Sequence, residues 1–97
     1  MLRLTDEAAS RVKDLAALTG GPSAGLRIEV DRRSPERAVL LSFTEEPGKD
    51  DRVVEESGAR VFLEADAASA LDDKVLGVIE KGDRVAFTFA DQTPASS

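Results

Sequence analysis

The sequence contains no cysteine, histidine, tryptophan or tyrosine. Without cysteine there is no disulfide and no thiolate to serve as nucleophile or metal ligand. Without histidine there is no imidazole base, and the two absences together remove nearly every zinc site. Carboxylates, lysine, arginine and hydroxyls are left for chemistry, which sharply narrows the range of possible enzymes. No apolar run approaches the roughly 18 residues that a membrane helix needs. The first residues, Met1-Leu2-Arg3-Leu4-Thr5, lack the apolar core of a signal peptide. These absences predict a cytoplasmic protein with no membrane partner.

What is present is a charged but foldable chain. Hydrophobic residues make up 41% and charged residues 33% of its 97 positions, a globular composition and not a disordered one. The length predicts one domain over residues 1–90, with a frayed tail over 91–97. Nineteen acidic against thirteen basic residues leave a net charge of −6, a field that discourages nucleic acid. The densest basic cluster, Arg32, Arg33 and Arg37, is diluted by Asp31 and Glu36 and reads as a solvated turn.

The clearest helix covers residues 5–18. Thr5 suits the N-cap, Asp6 and Glu7 the first turn, and Leu4 and Ala9 a hydrophobic staple. Ala8, Val12, Leu15, Ala16 and Leu18 form an apolar stripe, and Glu7 and Arg11 an i,i+4 surface pair. Gly20-Gly21-Pro22 stops it. Strict alternation over Gly25–Asp31 puts Leu26, Ile28 and Val30 on one face. A second run, Ala38–Thr44, pairs with it across about six residues, with Leu40 partly hidden on the far face. Arg52–Glu55, Arg60–Glu64, Lys74–Glu80 and Arg84–Phe89 read as further strands, and Ala65–Leu71 as a short helix. The stretch Glu56–Gly77 is a compact connector on which the other elements pack. This order is α+β.

Candidate chemistry is sparse. Glu45–Asp51 could offer oxygens to a hard cation, but it lacks the ligand order and glycine placement of a calcium loop. The acidic pairs Glu45-Glu46, Asp50-Asp51, Glu55-Glu56 and Asp72-Asp73 read as solvated surface. Ser34, Ser42, Ser57 and Ser69 have no nucleophile elbow and no histidine to activate them. The phenylalanines, Phe87 and Phe89 among them, read as core and not as a base-stacking platform. No catalytic, cofactor-binding or metal-ligating residue is predicted.

Taken together, LTDEAASRVKDLAAL, GLRIEV, DRVVEESGARVFLEADAASAL and VLGVIEKGDRVAFTFADQ resemble the HesB/IscA family of A-type iron–sulfur cluster biogenesis proteins. The order and spacing of these segments, over nearly the whole chain, carry the resemblance. It implies a β-rich sandwich of short, mostly antiparallel strands with an N-terminal amphipathic helix and one short helix. The family also places a cysteine in a glycine-rich loop after the first of these strands and a Cys-Gly-Cys motif after the last. Here the loop reads DRRSPERA, with Ser34-Pro35 near the cysteine position and one residue fewer. The last strand is followed by FADQTPASS, ending before that motif would begin. A serine alcohol is a poor iron ligand beside a thiolate.

The reading that follows is a degenerate family member without cluster ligands. It acts as a non-catalytic binding or scaffold module with protein partners of unknown identity, and its oligomeric state is open. The alternatives are a carrier of iron or of an iron–sulfur cluster that uses carboxylates or a partner's cysteines, and an enzyme built on hydroxyls and carboxylates.

Overall fold

The structure, a computed structural model, describes residues 1–21, 23–33, 35 and 38–92. The chain runs β1 (Arg3–Leu4), α1 (Asp6–Thr19), β2 (Gly25–Val30), β3 (Val39–Thr44) and β4 (Arg52–Glu56). It continues through β5 (Ala59–Leu63), α2 (Ala65–Ala70), β6 (Lys74–Lys81) and β7 (Arg84–Asp91). The α+β reading holds. No helix is long and apolar enough to cross a membrane among the described residues.

Helix α1 begins at its predicted cap. The Ala8 N–H donates to Thr5 Oγ1 at 3.1 Å, which satisfies one of the orphan donors of the first turn. Ala8, Ala9, Val12 and Ala16 are buried and Leu15 is half-buried. Leu18 is 84% exposed, contrary to expectation. Two residues beyond Ala16 is about 200° around the helix, so Leu18 faces away from the core. The expected Glu7–Arg11 pair is replaced by a tertiary one, Arg11 with Glu80, because α1 packs against β6. Gly20 donates to Ala16 O, and Gly21 takes φ +90°, so the helix ends where glycine permits.

Four strands form one sheet in the order β3-β2-β5-β4. β2 and β3 are antiparallel with Leu26 opposite Phe43 and Val30 opposite Val39. The Asp31 N–H still reaches Ala38 O at 2.7 Å, which leaves residues 32–37 to bridge the hairpin, the span that the sequence implied. β4 and β5 are joined by Ser57 and Gly58 at φ 53° and 83°, the pair of positive angles that a two-residue type I′ turn requires. The central pairing, β2 with β5, is parallel: Leu26 lies beside Val61 and Ile28 beside Leu63. A second sheet has the order β1-β6-β7, with β1 parallel to β6. β1 is too short for any sequence pattern to reveal.

One face of the four-stranded sheet makes the main core. Leu26, Ile28 and Val30 join Val61 and Leu63, and these meet Ala8 and Val12 of α1, Leu2, Leu4 and Leu76. The other face has its own buried residue, Phe62, which is fully inaccessible yet lies outside that cluster. Its neighbours across the strands are Arg27 and Val53. A Cβ on Gly25 would stand 3.0 Å from Phe62 Cζ and 2.6 Å from Arg60 O, so the ring needs a glycine there. On β3, Leu40 is 47% exposed and not partly hidden, since it lies on the outward face of an edge strand. β6 and β7 run longer than predicted, from the Lys74–Asp91 pair to Lys81–Arg84. β7 includes Asp91, and Gln92 donates backbone and side-chain hydrogen bonds. The rest of the expected tail, 93–97, lies outside the described residues.

Candidate functional site

The loop after β2 begins with Asp31, whose Oδ1 accepts from the Arg33 N–H at 3.0 Å. Arg32 reaches back to the start of α2. Its Nε donates to Asp66 Oδ2 at 2.8 Å and its Nη2 to Glu64 Oε2 at 3.2 Å. Glu64 is also the N-cap of α2, accepting from the Asp66 N–H at 3.3 Å. The hydrogen bond and charge of Asp66, with the charge of Glu64, push the Arg32 guanidinium further up from its usual range. Of the basic trio that the sequence singled out, Arg32 is therefore committed to internal carboxylates. Arg37 and Ser34 lie outside the described residues.

The turn that follows α2 is tied to the end of β7. Gln92 Nε2 donates to Met1 O at 2.7 Å and Lys74 O at 2.9 Å, and the Gln92 N–H donates to Asp73 O at 2.8 Å. The loop after β2 is thus tied to the start of α2, and the exit of β7 to the turn between α2 and β6. These are the two places to which the sequence resemblance directs attention. The described residues at both places supply guanidinium, carboxylate, carbonyl and amide groups.

The acidic loop Glu45–Asp51 does not assemble a cation site. Asp51 has a side chain only 4% exposed, and its oxygens are taken by Arg27 Nε at 2.8 Å and Arg27 Nη2 at 3.2 Å. The Gly48 N–H adds a third bond at 2.8 Å. These contacts, the Arg27 hydrogen bond first, hold the Asp51 carboxyl below the usual carboxylate range against the opposing effect of burial. Neither the charge pattern nor the spacing revealed this bidentate pair; only the alternation, which puts Arg27 on the outward face of β2, hinted at it. Other acidic pairs are divided between cations of the chain. Glu56 takes Arg3 at 3.0 Å, Glu55 takes Arg60 at 3.6 Å, and Asp72 takes the terminal ammonium at 2.6 Å. Among the described residues no three carboxylates converge on a point that could hold a metal ion.

The serines are equally dispersed. Ser42 is exposed on β3 and Ser57 sits in the type I′ turn. Ser69 lines an open depression of about 460 Å³ with Asp50, Arg52 and Asp72. That depression is open, and among the described residues none of its polar lining residues is buried, so it lacks the enclosed, convergent functional groups of a substrate pocket.

Comparison with known proteins places this arrangement. No family model matches the sequence. The "Iron-binding protein IscA" of Klebsiella pneumoniae (strain 342), however, is 31% identical over 91 residues, 93% of this chain and 84% of that protein. The chain belongs to the IscA/SufA (HesB) family. The crystal structure of Escherichia coli SufA, described as involved in biosynthesis of iron–sulfur clusters, superposes with a TM-score of 0.78 at 28% identity, covering 95% of this chain and 87% of SufA. An IscA crystal structure with the [2Fe-2S] cluster gives a TM-score of 0.69 at 25% identity, covering 94% and 82%. The resemblance in the sequence segments and the likeness of the folds agree. The family's fold is kept here by a chain with no cysteine anywhere in its sequence.

Proposed function

We propose that this protein is a ligand-free member of the IscA/SufA family, acting as a non-catalytic binding or scaffold module in iron–sulfur cluster assembly. It would be a single cytoplasmic module over residues 1–90 that engages protein partners and not nucleic acid. The observation that carries this reading is the donor set. A relative of the same fold was solved with a [2Fe-2S] cluster, and such clusters are bound chiefly by thiolates. This chain has none. The residues present do not fit a cluster, and in the loop after β2 a cation, Arg32, reaches into the neighbouring carboxylates. A guanidinium in that position repels a metal ion. Asp51, Glu64 and Asp66 are engaged by cations of the chain, and among the described residues no three carboxylates converge, so nothing supports a carboxylate-based carrier.

The test is anaerobic reconstitution of the purified protein with ferrous iron and sulfide, followed by desalting. We expect neither bound iron nor visible charge-transfer absorption. Near-stoichiometric iron with a charge-transfer band would sink the reading. For the protein contacts, an immobilised cysteine-bearing SufA or IscA offers a direct probe of association, and absence of binding to any cluster-assembly protein would count against the scaffold role.

A further inference from the structure

We propose that the cleft between the C-terminal part of α1, the start of β2 and the β4–β5 turn binds a small aliphatic carboxylate. The cleft has a volume of about 250 Å³, below the roughly 300–1,000 Å³ of pockets that hold drug-sized molecules, so its ligand is small. Its walls are methyl groups and bare backbone: Ala16 and Ala17 of α1, Ala24 before β2, and Gly21 and Gly58. Among the described residues its only polar side chains are Lys13 and Arg60. No carboxylate lines it, in a chain where acids outnumber bases by 19 to 13.

Both cations have donors to offer. Lys13 lies across the β4–β5 turn, where a Cβ on Gly58 would stand 3.3 Å from its Cδ, Cε and Nζ. Among the described residues its ammonium makes no hydrogen bond and no ion pair. Arg60 has one neighbour of opposite charge, Glu55, whose Oε2 is 3.6 Å from Nε and too far for a hydrogen bond. Arg3, Arg11, Arg27 and Arg32 instead donate to carboxylates of the chain. The guanidinium of Arg60 keeps its paired donors for a ligand.

A guanidinium grips carboxylate and phosphate alike, and the apolar walls decide between them. A short carbon tail covers the methyls of Ala16, Ala17 and Ala24, whereas phosphate has nothing to place there. Two features oppose any anion. Glu45 packs against Gly20, one residue from the cleft, and the carbonyl end of a helix disfavours negative charge. The helix end is answered in part within the chain, since Thr19 Oγ1 donates to Leu15 O and the Gly20 N–H to Ala16 O. Binding is therefore modest, with a Kd of about 1 mM.

Titration of the isotope-labelled full chain with sodium butyrate at constant ionic strength, followed by amide NMR shifts, tests this. The amides of Gly21, Ala24 and Gly58 should shift saturably, and inorganic phosphate should bind about tenfold more weakly. Lys13→Gln and Arg60→Gln should each weaken butyrate binding about tenfold. Arg33→Gln removes a cation of the loop after β2 and should leave binding unchanged. Ala17→Leu, an exposed substitution on one wall, should abolish binding and leave the urea midpoint in place. Absence of a saturable shift would overturn the proposal, as would phosphate binding as tightly as butyrate or an equal loss in Arg33→Gln. A tripeptide with a free carboxyl terminus that binds more tightly than butyrate would overturn it too, giving the cleft to the chain end of another protein.

Discussion

The two sheets differ in what holds them. In the four-stranded sheet the central strands bury Leu26, Ile28, Val61 and Leu63 on the helix side, and β5 buries Phe62 on the other. In the three-stranded sheet burial is one-sided: Leu76 is buried beside β1 and α1, and Val78, Phe87 and Phe89 are partly buried against the core, while Ile79 is 53% and Val85 40% exposed. The first sheet is stabilised by apolar burial. The tip of the second, beyond the Val78–Phe87 pair, relies on its ladder of hydrogen bonds and on the exposed Arg11–Glu80 pair. Core strands set global stability, and the hairpin's outer half belongs to the part of the structure that opens locally.

The comparison can be broken most directly at Phe62. Phe62→Ala should lower unfolding free energy by about 3–5 kcal/mol in a urea titration, although the ring lies outside the main core. A cost under about 1 kcal/mol would show that the second face contributes little. Gly25→Ala comes next, at about 3 kcal/mol, because its Cβ must displace Arg60 O or the phenyl ring.

Asp51 sharpens the comparison through pH. Its folded-state carboxyl titrates below its unfolded value, so its stabilisation is fully present above about pH 4 and is lost as pH falls through the depressed value. Asp51→Ala should cost about 2 kcal/mol at neutral pH, and the melting temperature of Asp51→Asn should fall less steeply below pH 4 than that of the wild type. An unchanged acid profile would mean that the Arg27 pair is not formed in solution. The smallest effect is expected in the hairpin, where Ile79→Ala should change stability by no more than about 0.5 kcal/mol. Amide exchange should rank the same way, with Val78–Glu80 exchanging well before Leu26–Ile28 and Val61–Leu63.

Much of this fold was legible from periodicity. The cap at Thr5, the alternation of Leu26, Ile28 and Val30, and the turn at Ser57-Gly58 are local signals, and local signals survive into the structure. The parallel contact of β2 with β5 is not local; nothing in either strand names its partner. Phe62 was hidden for a related reason. The run Val61-Phe62-Leu63 breaks the period-two pattern, which marks a strand buried on both faces, but not what covers the second face. For the site, the chemistry that a sequence excludes was read more securely than the chemistry it contains. The absent thiols are visible in composition alone, whereas the ties from Arg32 to Glu64 and Asp66, and from Gln92 to the turn before β6, depend on elements that meet only in the folded chain.

The short strand β1 carries a consequence for the order of assembly. Arg3 and Leu4 pair with Val75 and Leu76, 72 residues further along the chain. β1 has no partner until β6 is available, and Leu2 and Leu4, both buried in the fold, have no seat until then. Hairpins close in microseconds, but contacts between distant segments wait on loop closure. The β2–β3 and β4–β5 hairpins are local and can close early, whereas the β1–β6 contact has to wait for a much longer loop to close.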